Sequence, residues 1–264
     1  MGNQTSLYAA GAGTSAPCVS VNASDVTIDN LWIFDCPSQP VAFLAGSGSG
    51  NLMTNCYISN SGQPATFYGD APTVFYNYWS SSDATAVDVY ATDAQILSNI
   101  IVDPAGAGIR LRDTADGALL LANAIAGASP AVDLGAFDGA RLWHNTVADA
   151  VGSGVSLTGT TNVDFRNNIV SGANLFGVDG SSGQFTYFDY NVYYDNTSGN
   201  CSSCTLSSND RQGNPLFVNA GADDYTLQAG SAAVDAGTDL GDDRNLGSPG
   251  LFNGTAPDCG FVER

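Results

Sequence analysis

The sequence predicts an all-β fold in which the chain winds into about eight stacked coils, a single right-handed parallel β-helix. Three observations predict it: a repeat of about 22 residues, many turn-forming residues and little charge. Of 264 residues, 31 are glycine and 12% are charged, while 44% are hydrophobic. Asn, Asp, Gly and Ser favour turns, and β-branched and aromatic residues favour strands. The recurring apolar residues argue against disorder.

Two series of residues recur at this period. One is an asparagine that follows an apolar stretch, at Asn30, Asn55, Asn77, Asn99, Asn123, Asn145, Asn168 and Asn191. The other begins a strand, at Val19, Val41, Ala65, Val87, Ile109, Val132, Val155 and Val178. A coil of three short strands and three turns uses about 22 residues and places equivalent residues about 4.8 Å apart. We therefore expect the asparagines to form a buried ladder of hydrogen bonds.

Other repeat architectures fit less well. Leucine-rich repeats have a similar length, but the leucine pattern that they need is absent. Helical repeats need longer units and good helix formers, whereas this chain has Gly, Asn and β-branched residues. The repeat therefore favours the β-helix.

The period divides the chain into three parts. Residues 17–200 are predicted to form the coils, with residues 1–16 as an N-terminal extension. Residues 201–264 lose the period and are predicted to form a C-terminal capping segment, because an open solenoid end exposes apolar core and unpaired strand edges. No comparable cap is recognisable before residue 17, so end-to-end self-association through this coil end is a further expectation.

Segments such as Asn162-Val-Asp-Phe-Arg-Asn-Asn-Ile169 and Arg141-Leu-Trp-His-Asn-Thr-Val147 give the chain a family resemblance. They resemble the repeats of secreted bacterial right-handed parallel β-helix proteins with the pectin-lyase-like fold. The tail, over residues 214–220 and 224–237, is similar to the segment that closes many of them. The resemblance implies the fold and a secreted bacterial surface protein. It does not select an activity, because lyases, hydrolases, epimerases, adhesins and phage spikes share this fold.

Charge and cysteine content limit the partners and the compartment. The net charge is −19 and all seven cations are arginine, so nucleic acid and anionic membranes are unlikely partners. No apolar run is long enough to insert into a membrane. Six cysteines fit disulfides in an oxidising, extracellular compartment, although no signal peptide is recognisable. Cys201 and Cys204 have the spacing of a redox motif but lack its βαβ context.

Alternation within the first strand of each coil separates inward from outward side chains. Two outward rows result, with one residue per coil. The first is Ser20, Ala42, Thr66, Asp88, Arg110, Asp133, Ser156 and Asp179, and the second is Asn22, Leu44, Tyr68, Tyr90, Arg112, Gly135, Thr158 and Ser181. Acidic and basic residues should therefore alternate on three consecutive coils, with two tyrosines and an arginine beside them.

This outward surface is the candidate site. Tyrosine rings and guanidinium groups suit sugar rings and carboxylates, through stacking and bidentate hydrogen bonds. The leading hypothesis is an extracellular protein that binds polysaccharide or a cell-surface glycan through Thr66, Tyr68, Tyr90 and Arg112. An ordinary salt-bridge ladder explains the same row and would stabilise the fold little. A structural or adhesive protein that assembles through its coil ends is a third alternative.

Catalysis on the same surface is the second hypothesis. In a polysaccharide lyase, Arg110 or Arg112 would neutralise a uronate carboxylate, and Tyr90 or Tyr68 would move the proton.

In a glycoside hydrolase, Asp88 and Asp133 would be the two catalytic carboxylates. Their backbones should lie about 9.6 Å apart, which is nearer to the separation of inverting enzymes than of retaining ones. An arginine between them should lower both pKa values, which is unfavourable for a general acid.

Three further acidic residues recur at the turn before the second strand. Asp93, Asp116 and Asp138 are spaced by 23 and 22 residues and are expected to stack. Three carboxylates on one edge could bind Ca²⁺, although aspartate is also a favoured turn residue. The one histidine, His144, is expected to face solvent, beside an asparagine that faces the core.

Overall fold

The protein is described from a computed structural model that covers residues 5–8, 16–242 and 252–263, without the side chains of residues 5–8 and 182. Each coil passes through three parallel sheets, which we number in the order that a coil visits them from residue 19 onward. Within the described ranges, sheet 1 contains nine strands: β2 (Val19–Val21), β5 (Val41–Phe43), β8 (Ala65–Phe67), β11 (Val87–Val89), β14 (Ile109–Leu111), β17 (Val132–Leu134), β20 (Val155–Leu157), β23 (Phe176–Ser181) and β26 (Gly199–Ser203).

The other two sheets repeat this arrangement. The described part of sheet 2 has eight strands: β3 (Thr27–Asp29), β6 (Leu52–Thr54), β9 (Thr73–Phe75), β12 (Gln95–Leu97), β15 (Leu119–Leu121), β18 (Arg141–Trp143), β21 (Val163–Arg166) and β24 (Phe185–Asp189). Sheet 3 has ten strands in the same residues: β1 (Thr5–Tyr8), β4 (Leu31–Phe34), β7 (Tyr57–Ser59), β10 (Tyr78–Ser80), β13 (Ile100–Val102), β16 (Ala124–Ala126), β19 (Thr146–Ala148), β22 (Ile169–Ser171), β25 (Val192–Tyr194) and β27 (Arg211–Gln212). The solenoid of about eight coils is therefore confirmed.

The central residue of most short strands points into the solenoid, since neighbouring strand residues point to opposite sides. In sheet 3 this inward column is buried throughout. It consists of Ile33, Ile58, Trp79, Ile101, Ile125, Val147, Val170 and Tyr193. Burial of these large side chains is the main favourable term for a fold with little charge. Strand β1, within the first 16 residues, pairs in parallel with β4.

The predicted asparagine ladder is confirmed from Asn77 to Asn191. From Asn99 to Asn191, each side-chain oxygen accepts hydrogen bonds from the asparagine one coil earlier, as where Asn123 Oδ1 accepts from both the backbone N and Nδ2 of Asn99 at 3.0 Å. Asp210 ends the series, because its Oδ1 accepts from the backbone N of Asn191 at 2.7 Å. The buried turns between sheets 2 and 3 are thereby supplied with polar partners.

The prediction is wrong for Asn30 and Asn55. Their φ angles are 55° and 52°, so they occupy the left-handed turn position one residue before the ladder column. The ladder position of the second coil is Cys56, whose backbone N donates to Asn77 Oδ1. Asparagine tolerates left-handed backbone, which explains why it occurs in both neighbouring columns.

The end of the chain completes the last coil and then returns along the solenoid. We call residues 213–263, as far as they are described, the C-terminal strap. It contains an antiparallel hairpin of β28 (Phe217–Asn219) and β29 (Asp224–Leu227) and the 3-10 turn Ala220–Ala222, while a second 3-10 turn, Ser182–Gln184, follows β23. Tyr225 packs on Val102, Ala126 and Ala148, outward residues of sheet 3. The strap therefore covers one side of the coils.

The cysteines and the lone histidine are placed as follows. Cys18 is bonded to Cys36 and Cys201 to Cys204, so the second pair forms a disulfide in the last coil. Cys56 and Cys259 are buried thiols.

His144 is fully buried, and its Nδ1 lies 3.0 Å from the Asp258 carbonyl of the strap. The expectation that His144 faces solvent is wrong, because the strap covers this turn. No helix in the described residues is long and apolar enough to cross a membrane.

Candidate functional site

The outward side of sheet 1 has the arrangement that the period predicts. Thr66, Asp88, Arg110 and Asp133 are aligned on four consecutive strands. Tyr68, Tyr90 and Arg112 lie next to them, one residue beyond the strand ends. We call these seven residues the sheet 1 face.

Asp88 is the centre of the sheet 1 face. Its carboxylate is almost fully buried and accepts four hydrogen bonds from two guanidinium groups. Arg110 donates from Nε at 3.2 Å and from Nη2 at 2.7 Å, and Arg112 from Nε at 2.7 Å and from Nη2 at 2.9 Å. The predicted alternating ladder of aspartate and arginine is thus a clamp in which one aspartate holds two arginines.

The clamp lowers the pKa of Asp88. Burial of the carboxyl group acts in the opposite direction, but the hydrogen bonds and charges of Arg112 and Arg110 outweigh it. A carboxyl whose folded pKa is below its unfolded value stabilises the fold above the ordinary carboxyl pKa. That contribution is lost as the pH falls through the lowered pKa of Asp88.

Asp133 differs from Asp88 although it lies on the same row. Burial raises its pKa, and the charges of Arg110 and Arg112 only partly compensate. The expectation that the arginines lower both carboxyl pKa values is therefore wrong for Asp133, because both guanidinium groups are directed to Asp88. The two carboxyl groups have pKa values displaced in opposite directions, a pattern typical of acid–base pairs.

The two tyrosines of the sheet 1 face stack on each other. Tyr68 and Tyr90 are stacked, with centroids 4.4 Å apart and planes at 11°. The guanidinium carbon of Arg112 lies 5.5 Å from the Tyr90 centroid. Both tyrosines are half-buried, and the Tyr90 hydroxyl donates a long hydrogen bond of 3.5 Å to Asp88 Oδ2. Because the ring faces contact each other, the stack favours hydrogen bonding over stacking against a sugar.

The predicted calcium residues do not form one cluster. Asp116 and Asp138 are neighbours, with the Asp138 backbone N donating to Asp116 Oδ1 at 2.8 Å. Asp93 is displaced by one residue and lies beside Gly117, where an added Cβ would be 2.3 Å from Asp93 Oδ1. Hydrogen bonds from Thr161 and Asn162 lower the pKa of Asp138. No group of three or more acidic, cysteine or histidine side chains in the described residues is placed to hold a metal ion.

Sequence reasoning missed a polar cluster on the outward side of sheet 2. Arg141, Asp164 and Tyr187 are aligned in one column, and Trp143 and Arg166 in the next. These residues repeat at 23-residue spacing and could have been found by applying the outward-row analysis to the second strand of each coil.

A polar cleft of about 370 Å³ lies where the last coil meets the strap. Arg211 in this cleft donates to the carbonyls of Ala232, Val234 and Asp235. Its charge therefore serves to hold the strap against the coils.

Known proteins support this architecture. Residues 10–132 match a family model described as the right handed beta helix region. This match extends over the first coils and agrees with the parallel β-helix fold that the strands form. A search of curated proteins finds no match.

Solved structures resemble it only distantly. A periplasmic alginate epimerase, AlgG, is 14% identical, with a TM-score of 0.49 over 70% of this chain and 47% of that chain. A point mutant of that epimerase is also 14% identical, with a TM-score of 0.48 over 74% and 50% of the two chains. A plasmid-mediated fluoroquinolone resistance protein is 10% identical, with a TM-score of 0.22 over 78% and 91%. The chain spans about half the length of the epimerase structures.

Proposed function

We propose that the protein binds polysaccharide on the sheet 1 face and acts outside the cytoplasm. The observation that carries this proposal is the alignment of polar side chains on consecutive coils. A glycan lying along the solenoid axis would meet a new rung about every 4.8 Å. The disulfides support an oxidising compartment, where such polymers occur.

The chemistry of the face favours hydroxyl-rich sugars. Asp88 binds Nε and Nη2 of both arginines, which leaves Nη1 and the second hydrogen of Nη2 on Arg110 and on Arg112 for a ligand. The hydroxyl groups of Tyr68 and Tyr90 and the carboxyl group of Asp133 add donors and acceptors. Two cations and two carboxylates balance when Asp133 is ionised, so the face has no excess of positive charge for a dense polyanion.

Removal of both tyrosine hydroxyls should weaken glycan binding. In the double variant Tyr68→Phe/Tyr90→Phe we expect an affinity loss of about tenfold, because two hydrogen bonds are removed while the ring stack remains. Calorimetric titration with neutral and uronate-containing polysaccharides measures the change. Tyr194→Phe is the matched control, since Tyr194 is 40% exposed and belongs to sheet 3. Absence of binding at millimolar glycan, or equal affinity in the double variant, would contradict the proposal.

An enzyme on the same face is the second candidate, and the opposite pKa displacements of Asp88 and Asp133 favour it. Asp88 is bound through both oxygens and is a poor base or nucleophile. Asp133 is the better proton donor, because burial favours its protonated form. An arginine that neutralises a uronate would use Nη1 and the second hydrogen of Nη2, the donors that Asp88 does not occupy.

If the face is catalytic, Asp133→Asn should abolish turnover without weakening glycan binding. The rate of the wild-type protein should fall as the pH rises through the raised pKa of Asp133, because the acid form is then lost. New reducing ends report hydrolysis, and ultraviolet absorbance of unsaturated products reports elimination. Full activity in Asp133→Asn would remove Asp133 from the mechanism, and a chain that yields neither product leaves binding as the function.

A further inference from the structure

An arginine–aromatic cluster on sheet 2 is separate from the sheet 1 face. It consists of Arg141, Trp143, Asp164, Arg166 and Tyr187. The strands that carry it are consecutive in sheet 2, so the cluster extends over three coils. At about 4.8 Å per coil, Arg141 and Tyr187 are separated by roughly 10 Å along the solenoid.

Arg166 forms the fixed centre of this sheet 2 cluster. Its Nε and Nη2 atoms donate to the Asp164 carboxylate at 2.6 and 2.5 Å. Its guanidinium carbon lies 4.4 Å from the Tyr187 ring centroid and 5.8 Å from that of Trp143. Arg166 is therefore neutralised by Asp164 and held between two aromatic rings, where cation–π attraction adds to the hydrogen bonds.

Arg141 is exposed and has no carboxylate partner in the described part of the chain. Its Nη2 donates a long hydrogen bond of 3.4 Å to the Gly117 carbonyl, and its guanidinium carbon lies 5.6 Å from the Trp143 centroid. With Arg166 neutralised by Asp164, the sheet 2 cluster has one uncompensated positive charge. The whole chain has a net charge of −19, so a positive spot on an aromatic surface indicates a particular anionic ligand.

We infer that the sheet 2 cluster is a second binding site, for a glycan that has isolated carboxylates between neutral sugars. Arg141 provides the planar donor pair that suits a sugar carboxylate. The Tyr187 side chain is 53% exposed, and the ring face opposite Arg166 is available for a sugar ring. The separation between Arg141 and Tyr187 suits two consecutive sugars.

The density of carboxylates on the ligand is limited by the neighbouring acidic residues. Asp189 follows Arg166 in the adjacent outward column, and Asp164 lies between Arg141 and Tyr187. A polymer with a carboxylate on every sugar would bring a second negative charge close to these two aspartates, which would repel it. One charge per disaccharide matches the single free guanidinium.

A second copy of this chain is a weaker candidate for the ligand. Two chains that each have a net charge of −19 repel one another at long range. A stable protein interface also buries about 800 Å² on each partner, far more than five side chains supply. A glycan needs only the local contacts of a few sugars.

The test compares one oligosaccharide with and without its charge. The probe is a tetrasaccharide of alternating glucuronate and N-acetylglucosamine, and the reference is the same compound after reduction of its carboxyl groups. The wild-type protein should bind the charged form about tenfold more tightly, and Arg141→Gln should remove that preference, since a hydrogen bond between two charged groups is lost. Tyr187→Ala should weaken both forms. Gln95→Ala is the matched control, because Gln95 is exposed in the same column two coils away.

The outcomes separate this site from the sheet 1 face. Failure of the wild-type protein to bind the charged tetrasaccharide, equal binding of both forms, or an unchanged preference in Arg141→Gln each overturns the inference. A change in Arg141→Gln confined to self-association, seen by light scattering, assigns the cluster to contacts between copies and also overturns it. Binding of neutral polysaccharide that depends on Tyr68 and Tyr90 but not on Arg141 tests the sheet 1 proposal independently. Unfolding midpoints confirm that all variants are folded.

Discussion

Replacement of Asn123 by alanine is expected to lower the free energy of unfolding by about 3–5 kcal/mol, since several buried polar groups lose partners that each cost about 1–3 kcal/mol. Asn123 is fully buried, and its Oδ1 accepts from two nitrogen atoms of Asn99. Its Nδ2 donates to the Ile96 carbonyl at 2.7 Å and to Asn145 Oδ1 at 3.0 Å. Alanine supplies none of these bonds.

Denaturant unfolding measures this loss, with Asn22→Ala as the control. Asn22 is exposed and lies outside the ladder, so its replacement should change stability by less than about 0.5 kcal/mol. An equal effect of the two substitutions would show that the ladder does not stabilise the coils.

Asn123→Asp gives a second view of the same site. It keeps an acceptor for Asn99 but places a carboxylate oxygen against the acceptors of Ile96 and Asn145. Burial beside acceptors should raise the pKa of the new carboxyl group, so its protonated form can donate as the amide does. Relative to the wild-type protein, the variant should be most stable at acidic pH and lose stability as the pH rises through that raised pKa. A pH-independent difference would contradict this account.

The repeat was sufficient to predict the coils and the ladder, because stacked strands keep a one-to-one register. The same reasoning failed at Asn30 and Asn55 for a local reason. An asparagine after a strand can occupy the left-handed turn or the buried column next to it, and a single sequence does not distinguish the two. The neighbouring pair Asn167 and Asn168 shows both uses, since Asn167 has a φ of 59° while Asn168 belongs to the ladder.

The sequence predicted which residues of the candidate site are aligned on consecutive strands, but not which of them form ion pairs. The period places Asp88 between Thr66 and Arg110, and the structure agrees. Which carboxylate the arginines bind depends on side-chain conformation, and both Arg110 and Arg112 turn to Asp88. Asp133 is consequently half-buried and has no ion pair with a described residue, so burial raises its pKa.

The sequence predicted the strap only as a segment that caps the end of the coils. The composition of the sheet 3 strands, however, indicated that the outward side of this sheet is covered. In β13 and β16 every residue is apolar, so both sides of sheet 3 are suited to burial there. Strands of sheet 1 at the same coils have polar central residues, Asp88 and Arg110 among them. The contrast between sheet 3 and sheet 1 is thus a signal that the returning segment does not cover the sheet 1 face.

Replacement of Tyr225 by alanine should release this strap, at a cost of about 3–5 kcal/mol for an aromatic side chain removed from a core. Tyr225 is 4% exposed, lies on Val102 and Ala126, and has the Phe217 ring 5.4 Å from its own. Because the coils keep their own core and asparagine ladder, we expect local opening of the strap before the coils unfold.

Limited proteolysis and binding of a hydrophobic dye detect that opening. Cleavage should concentrate in residues 213–242, and dye fluorescence should rise because apolar outward residues of sheet 3 become exposed, while the strand signal in far-ultraviolet circular dichroism persists. Val218→Ala is the control, since Val218 lies in the same hairpin but is 50% exposed. Protease resistance equal to that of the wild-type protein would contradict local opening, and simultaneous loss of the strand signal would mean that the strap and the coils form one cooperative unit. If the strap opens alone, glycan binding on sheets 1 and 2 should survive its release, because neither outward surface includes a strap residue.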